Sequence, residues 1–426
     1  MRILFLGDSP KMNSGYAIVI RNLAMGLKRL GYDVVTVGLQ TAYISEYFDD
    51  GNVDGNNGQI EVLPILTDKS DDVGQFMSHL QAVNPEVVIF IGQMDMDLNP
   101  LVKLFPGTIC YIPVEGKDVP FSIVLDLNAV IKKGGKIVAM TKYGYNEIKR
   151  AGVNISGMIY HGYDDGVFKK IDVDKDLLSE IREIVSILKW DSSNKRWEQH
   201  NIDTYKIPEL LEYGKRFLYL HVGQNVGIRK RQERLLMAYA MMIKESRQFR
   251  DRTLLHLHTL PISGRGLNLI EVAMKLGIQD NVSFSYGTYL SAGWSSDALN
   301  VLYNLADVHV SASSSEGFGI PTLESMACGK ANIAPDCTSF TELIGNDPDE
   351  DFGKNRGLLA KISDWQMEPI GRFKPLVSQE HLAIMMKKLY VDEKLREKLG
   401  DNGMVWVKQY SWDKIVGEWD RLLKEM

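Results

Sequence analysis

Cysteine is scarce: Cys110, Cys328 and Cys337 are the only three in 426 residues, and no two of them are close-spaced. An odd count without a CxxC pair excludes a disulfide framework and a CxxC zinc site, and a reducing cytoplasm is the expected setting. Basic charge is also in short supply, with 49 Lys and Arg against 55 Asp and Glu, a formal charge of −6 and a pI near 5.8. Gripping a phosphate backbone needs surplus cations on one face, so no general affinity for nucleic acid is expected. Long hydrophobic runs are absent. None approaches the ~20 residues that cross a bilayer, so no transmembrane segment is expected and any membrane contact would be peripheral. The opening Met1-Arg-Ile-Leu-Phe-Leu-Gly-Asp8 has four successive apolar residues before Gly7, too few for a signal-peptide core, and reads as a first strand. There is no repeat or low-complexity tract, and no G-x-G-x-x-G follows the first strand of either half, which argues against a nicotinamide dinucleotide site.

What is present is the composition of a soluble globular chain, 45% apolar and 24% charged. The length exceeds what one hydrophobic core usually serves, so two domains of roughly 200 residues each are expected. Short apolar runs recur at Ile3–Leu6, Val34–Val37, Val62–Leu66, Val87–Ile91, Ile109–Ile112 and Ile137–Met140, with helical patterns between them. Buried parallel strands have this look. Val19, Leu23, Leu27 and Leu30 place an apolar stripe on the first helix, and Gly31 ends it. Between Thr41 and Gly58 the residues turn to Asp, Asn, Gly and Tyr, which predicts a loop.

From Asp165 to Arg216 the strand rhythm stops and two short helical patterns replace it, the first with Leu178, Ile181, Val185 and Leu188 on one face, which reads as linker plus insertion. The rhythm resumes at Phe217–Val222, Leu254–Leu257, Val282–Phe284, Val308–Ser311 and Ala331–Ala334, and the tail from Ser378 to Met426 reads as helical. The expected organisation is a doubly wound α/β domain over 1–164, a linker or insertion over 165–216, a second such domain over 217–405, and a last helix over 406–426.

The strongest chemical signal is Ser313-Ser-Ser-Glu-Gly-Phe-Gly-Ile-Pro-Thr-Leu-Glu-Ser-Met-Ala-Cys-Gly329, which begins just after a strand. Gly317 and Gly319 flank Phe318 so that backbone can approach a ligand closely, and Pro321 suits the first turn of a helix opening near Ile320. Free N–H groups at that helix start suit a diphosphate, while Glu316 and Glu324 offer carboxylates to the vicinal hydroxyls of a sugar or a ribose. Taken alone, Glu324 would serve equally as a charge on the helix dipole.

This segment resembles the signature of the retaining glycosyltransferases of family 4 and their close relatives, two Glu residues separated by seven within EGFGxxxLE and followed by a small-residue helix ending in Gly. The resemblance implies a GT-B fold, two Rossmann-like domains facing a cleft, with the last helix returning to the first domain. Other segments agree in order. After Phe217–Val222 comes Gly223-Gln-Asn-Val-Gly-Ile-Arg-Lys-Arg231, where the family carries a glycine-arginine pair and then a lysine that hold the donor diphosphate. Lys230 matches that lysine; Gln224 stands in the arginine's place, and Arg229 is the residue expected to supply the second cation. Ile159-Tyr-His-Gly-Tyr-Asp164 with Phe168 resembles the family's interdomain hinge, and Gly15 falls in the loop that approaches the donor phosphates.

The resemblance therefore implies a retaining, metal-independent hexosyltransferase. Its substrates would be a UDP- or GDP-hexose and a hydroxyl acceptor such as a glycan, a glycolipid or a small molecule, with no cofactor. Arg229 and Lys230 would lie on the diphosphate, Glu324 on the ribose, and Glu316 with the Phe318–Ile320 backbone on the sugar. Substituting Glu316 by Gln or Lys230 by Ala is expected to leave the fold and thermal midpoint in place while removing most transfer. Two other readings use the same scaffold: an epimerase or phosphorylase, and a non-catalytic nucleotide-sugar-binding protein, the latter prompted by Gln224.

Four features receive a plainer reading. Asp95-Met-Asp97 looks like a DxD metal motif but has no neighbouring His or third carboxylate, so it is read as a loop and no metal is expected. Tyr111-Ile-Pro-Val-Glu-Gly116 lies where many relatives place a histidine near the transferred sugar, which leaves Glu115 as a weak acceptor-side candidate. His161, beside a glycine at a strand end, is read as structural. Lys132, Lys133 and Lys136 suit a helix C-terminus at Gly134 as well as they suit anionic lipid.

Overall fold

Runs of β-branched and apolar residues become strands covered on both faces, as a parallel sheet flanked by helices requires. The computed structural model describes residues 1–12, 14–39, 46–48, 59–65, 72–93, 99–173, 181, 183–286, 294–345 and 354–426. They form two units: Met1–Gly162 with Glu368–Arg372 and Tyr410–Met426, and Tyr163–Met367 with Phe373–Gln409.

The first unit holds β1 (Arg2–Asp8), β2 (Asp33–Leu39), β3 (Glu46–Phe48), β4 (Ile60–Ile65), β5 (Val87–Ile91), β6 (Ile109–Ile112), β7 (Lys136–Ala139) and β8 (Gly157–Met158). Their order is β3-β4-β2-β1-β5-β6-β7-β8, parallel throughout except for β3 against β4. Ile3, Leu4, Phe5 and Leu6 are fully buried at its centre. Ser14 caps the helix Gly15–Arg29 by accepting from the Ala17 amide at 3.0 Å, and its hydroxyl donates to Asp8 Oδ2 at 2.5 Å, tying the helix start to the end of β1. The helix Trp412–Lys424 packs on that first helix. Gly26 allows the contact, since a Cβ there would stand 2.3 Å from Val416 Cγ2. Trp419 is fully buried edge-on to Tyr111 at 5.0 Å, and Tyr32 donates to Asp420 at 2.8 Å.

One expectation for this unit is corrected. The span 41–58, expected to be loop, carries β3, an edge strand paired through main-chain bonds that its Asp- and Asn-rich surroundings do not signal. The rest of that span lies outside the described residues, as do Asn13 and Asp95-Met-Asp97.

The second unit holds β9 (Ile184–Asp191), β10 (Arg196–Asp203), β11 (Phe217–Val222), β12 (Thr253–His258), β13 (Val282–Tyr286), β14 (Val308–Val310), β15 (Ala331–Pro335) and β16 (Gly357–Ala360). The order is β10-β9-β13-β12-β11-β14-β15-β16. β9 runs antiparallel to both its neighbours and the other pairs are parallel. β17 (Ile362–Met367) and β18 (Phe373–Val377) form a separate antiparallel ribbon.

The helix expected around Ile181, Val185 and Leu188 is replaced by β9, and the supposed linker is an antiparallel extension of the second sheet; Leu178 lies outside the described residues. The physical reason is the β-branched run Ile184-Val-Ser-Ile187, which fits a pleated surface better than a helix. Aromatic packing then fixes it: Trp190 meets Trp197 edge-on at 5.7 Å, and Trp197 meets Phe284 of β13 at 5.6 Å. The tail is helical as read, through Gln379–Val391, Glu393–Val407 and Trp412–Lys424.

Candidate functional site

β11 and β14 are parallel neighbours, with Tyr219 opposite Val308 and Leu220 opposite His309, so the loops that follow them leave the same edge of the second sheet. The first loop runs from Gly223 to Arg231 and leads into the helix Gln232–Glu245; the second runs from Ser311 to Gly319 and leads into the helix Ile320–Ala327. Hydrogen bonds stitch them together. The Ser314 amide donates to the Arg229 carbonyl at 2.8 Å, and the Ser314 and Ser313 hydroxyls donate to the same oxygen at 3.0 and 3.3 Å.

Across this seam the Arg229 guanidinium donates to the Ser315 carbonyl at 2.9 Å and to Glu316 Oε2 at 3.0 Å, while Lys230 Nζ donates to Glu316 Oε1 at 2.6 Å. One carboxylate is thus bridged by two cations, one on each oxygen. Burial alone would raise the Glu316 carboxyl, but Lys230 and then Arg229 outweigh it and bring it down to about 2. Two cations and one carboxylate leave a net positive charge beside a helix start, and both features favour an anion. They also show why basic residues are tolerated just ahead of the helix Gln232–Glu245: Glu316 gives them an internal partner.

The backbone around Glu316 is held in place from the other side. Its amide donates to Thr338 Oγ1 at 3.3 Å, and the Ser339 hydroxyl donates to its carbonyl at 3.1 Å. Thr338 sits at φ +48°, a strained conformation for a β-branched residue, of the kind that surrounding structure must hold in place. Gly319 precedes the helix at φ +109°, which glycine adopts without the Cβ penalty, and Pro321 occupies the first helical turn. The side chains of Phe318 and Ile320 are buried, and Gly317 and Gly319 are buried with them.

Gly223 has a spatial role. A Cβ there would crowd His221 Nε2 at 3.2 Å and stand in ordinary contact with Lys230 Cδ at 3.5 Å. His221 and His309 lie behind the site, their pKa values lowered by burial to about 3 and about 4, which makes them neutral packing groups. Gln224 is exposed at the end of β11.

Glu324 lies further along the helix and is buried. Its Oε2 accepts a hydrogen bond from the Tyr303 hydroxyl at 2.8 Å. Burial raises its carboxyl to about 7, the Tyr303 bond opposing the rise and Asp164 adding to it.

The structure therefore joins Gly223, Arg229, Lys230 and Glu316 through direct contacts, and carries Gly317 to Ile320 and Glu324 on the same loop and helix. Gly15 and Glu115 belong to the first unit. Gly15 is the first residue of its helix, with open space where a Cβ would be. Glu115 is buried in a recess past the ends of β5 and β6, lined also by Gln93, Pro113, Asp118 and Arg372. His161 is buried, with its pKa lowered to about 3, between the rings of Tyr111 and Trp412. Sequence reasoning missed Tyr303, Thr338 and the serines at 313 and 314 as neighbours of the two glutamates. Among the described residues no three His, Cys, Asp or Glu side chains form a metal cluster, and no helix is long and apolar enough to cross a membrane. The three cysteines are buried free thiols.

Two doubly wound α/β units, the second carrying paired cations at its strand ends, define the GT-B class of glycosyltransferase folds. Solved structures agree on the fold. The chain is similar to sucrose-phosphate synthase from Thermosynechococcus elongatus, with a TM-score of 0.71 at 15% identity over 100% of this chain and 98% of that one. Anabaena HepE in complex with UDP-glucose gives a TM-score of 0.66 at 14% identity over 100% of both chains. Within that class, residues 204–406 match the family described as Glycosyl transferases group 1. Two relatives share shorter stretches. The serotype-specific mannosyltransferase WbdA of Escherichia coli is 33% identical over 118 residues, 28% of this chain and 13% of the relative. The N,N'-diacetylbacillosaminyl-diphospho-undecaprenol alpha-1,3-N-acetylgalactosaminyltransferase of Campylobacter jejuni is 31% identical over 139 residues, 32% of this chain and 31% of the relative. The matched stretches span less than a third of either relative.

Proposed function

We propose that this protein is a retaining, metal-independent hexosyltransferase that moves a hexose from a UDP- or GDP-sugar to a hydroxyl acceptor. The observation that carries the reading is the Glu316 carboxylate bridged by Arg229 and Lys230 beside the start of the helix Ile320–Ala327. The names of the relatives support it, since they transfer mannose and N-acetylgalactosamine, and so does the UDP-glucose held by Anabaena HepE.

In this reading Arg229 and Lys230 hold the diphosphate, Glu324 takes the ribose hydroxyls, and Glu316 with the backbone of residues 318–320 takes the sugar. Glu316 also orients both cations before the donor arrives, so that little reorganisation is needed as charge develops. The bond from the anomeric carbon to the diphosphate breaks with its electron pair going to phosphate oxygen. The acceptor oxygen bonds to that carbon from the same face, and its proton passes to the departing oxygen. Glu115 in the recess of the first unit is the acceptor-side candidate. A reducing cytoplasm suits the three buried thiols, and membrane contact, if the acceptor is a glycolipid, is peripheral.

The test is a thermal-shift screen against UDP-, GDP-, ADP- and dTDP-sugars with EDTA present. Ligand at 100 times its Kd stabilises the folded state by about 2.7 kcal/mol, so a donor bound without metal raises the midpoint selectively for one base. No shift with any nucleotide would turn the reading toward a non-catalytic protein.

A further inference from the structure

We propose that Tyr303 is a positioning residue for the donor ribose, holding Glu324 so that one carboxylate oxygen is fixed and the other is presented to the nucleotide. The inference rests on the reading of Glu324 as the ribose contact and adds the residue that makes the contact work.

Tyr303 lies on the helix Ser296–Leu305, which leads into β14, and is fully buried. Its ring is held edge-on by Phe168 and by His309, each at 6.0 Å, so the direction of its hydroxyl is set by packing. That hydroxyl donates to Glu324 Oε2 at 2.8 Å. Burial, and then the charge of Glu324, push the Tyr303 phenol well above its usual range, so it stays a donor at any working pH. Among the described residues Glu324 Oε1 takes no hydrogen bond and no cation pairs with Glu324. The groups that face it are Tyr303, Asp164 from the segment after β8, and Cys328 one turn along its own helix. A buried carboxylate with one donor and an acidic neighbour is a costly arrangement for a residue that only packs. Two vicinal hydroxyls donating to the ionised form would complete it, and that is the donor pattern of a ribose.

The mechanism sets a sign. Tyr303 stabilises the ionised carboxylate, so its removal leaves more of Glu324 protonated near neutral pH, and a protonated carboxyl accepts a diol poorly. The loss should therefore be greater at pH 6 than at pH 9.

The experiment measures Kd for UDP, GDP and inorganic pyrophosphate by calorimetry on the wild type, Tyr303→Phe, Glu324→Gln and the double variant from pH 6 to 9. Pyrophosphate meets the cations but has no ribose. Tyr303→Phe is expected to weaken the nucleotide that binds by about tenfold at pH 7. The ratio to wild type, which cancels the nucleotide's own titration, should shrink toward pH 9, with pyrophosphate unchanged and the double variant losing no more than Glu324→Gln alone. Unaltered nucleotide affinity at every pH, or an equal loss for pyrophosphate, would overturn the proposal while leaving the donor site standing. A wild type that binds neither UDP nor GDP would overturn the site reading itself, and this inference with it.

Discussion

Glu316→Gln removes the charge that both cations share while preserving the shape of the side chain. In the folded protein the Glu316 carboxyl is brought from the ordinary 4.5 down to about 2. That difference corresponds to about 3 kcal/mol of folding free energy at pH 7, to order of magnitude, which the neutral amide forfeits. The sign follows from the depressed value: the contribution is present above pH ~4.5 and is lost as the pH falls toward ~2, with about 2 kcal/mol remaining at pH 3.5. For a unit of this size about 3 kcal/mol is a fall of roughly 6–12 °C in thermal midpoint. Motif resemblance alone leads to the expectation that the substitution spares the midpoint, and the ion pairs lead to the opposite one. Urea unfolding of wild type and variant at pH 7 and pH 3.5 reads the effect directly. Equal stability at pH 7, or a gap that widens in acid, would refute the bridged carboxylate.

Gly223→Val places a branched side chain against His221 and Lys230, and is expected to weaken nucleoside diphosphate binding by about tenfold, with Gly223→Ala losing less; calorimetric Kd values check it. Gly26→Ala drives a methyl into Val416, and is expected to cost about 1–3 kcal/mol in urea unfolding, part of which Val416→Ala in the same chain restores.

The parallel strands were legible because burial on both faces leaves continuous runs such as Ile3–Leu6 and Val87–Ile91. β10 was not, because Arg196, Glu198 and His200 alternate along an edge strand with no apolar run to mark it. β9 misled because Ile181, Val185 and Leu188 fit a helical stripe, and nothing local announces that β13 and β10 pair with it. The ribbon of β17 and β18 carries exposed Trp365 and Met367, and Val377 at its end is buried in the core without an apolar run to announce it.

At the site, the segment from Glu316 to Glu324 could be read because its chemistry is local. The partnership of Glu316 with Arg229 and Lys230 could not, since 87 and 86 residues separate them in the chain. The same holds for Tyr303, 21 residues before Glu324, which reads as one more apolar position on a buried helix face. Thr338 carries no signal either, because a strained φ is invisible until the backbone around it is built.

The central claim, that Arg229 and Lys230 form a diphosphate site, is tested most directly by the Kd of the preferred nucleoside diphosphate for wild type and Lys230→Ala, measured with EDTA present. Losing one charge-assisted contact to the diphosphate should weaken binding by roughly 10- to 150-fold. Equal affinity in the two proteins would mean that Lys230 serves only its ion pair with Glu316, and that the donor phosphates are not bound there.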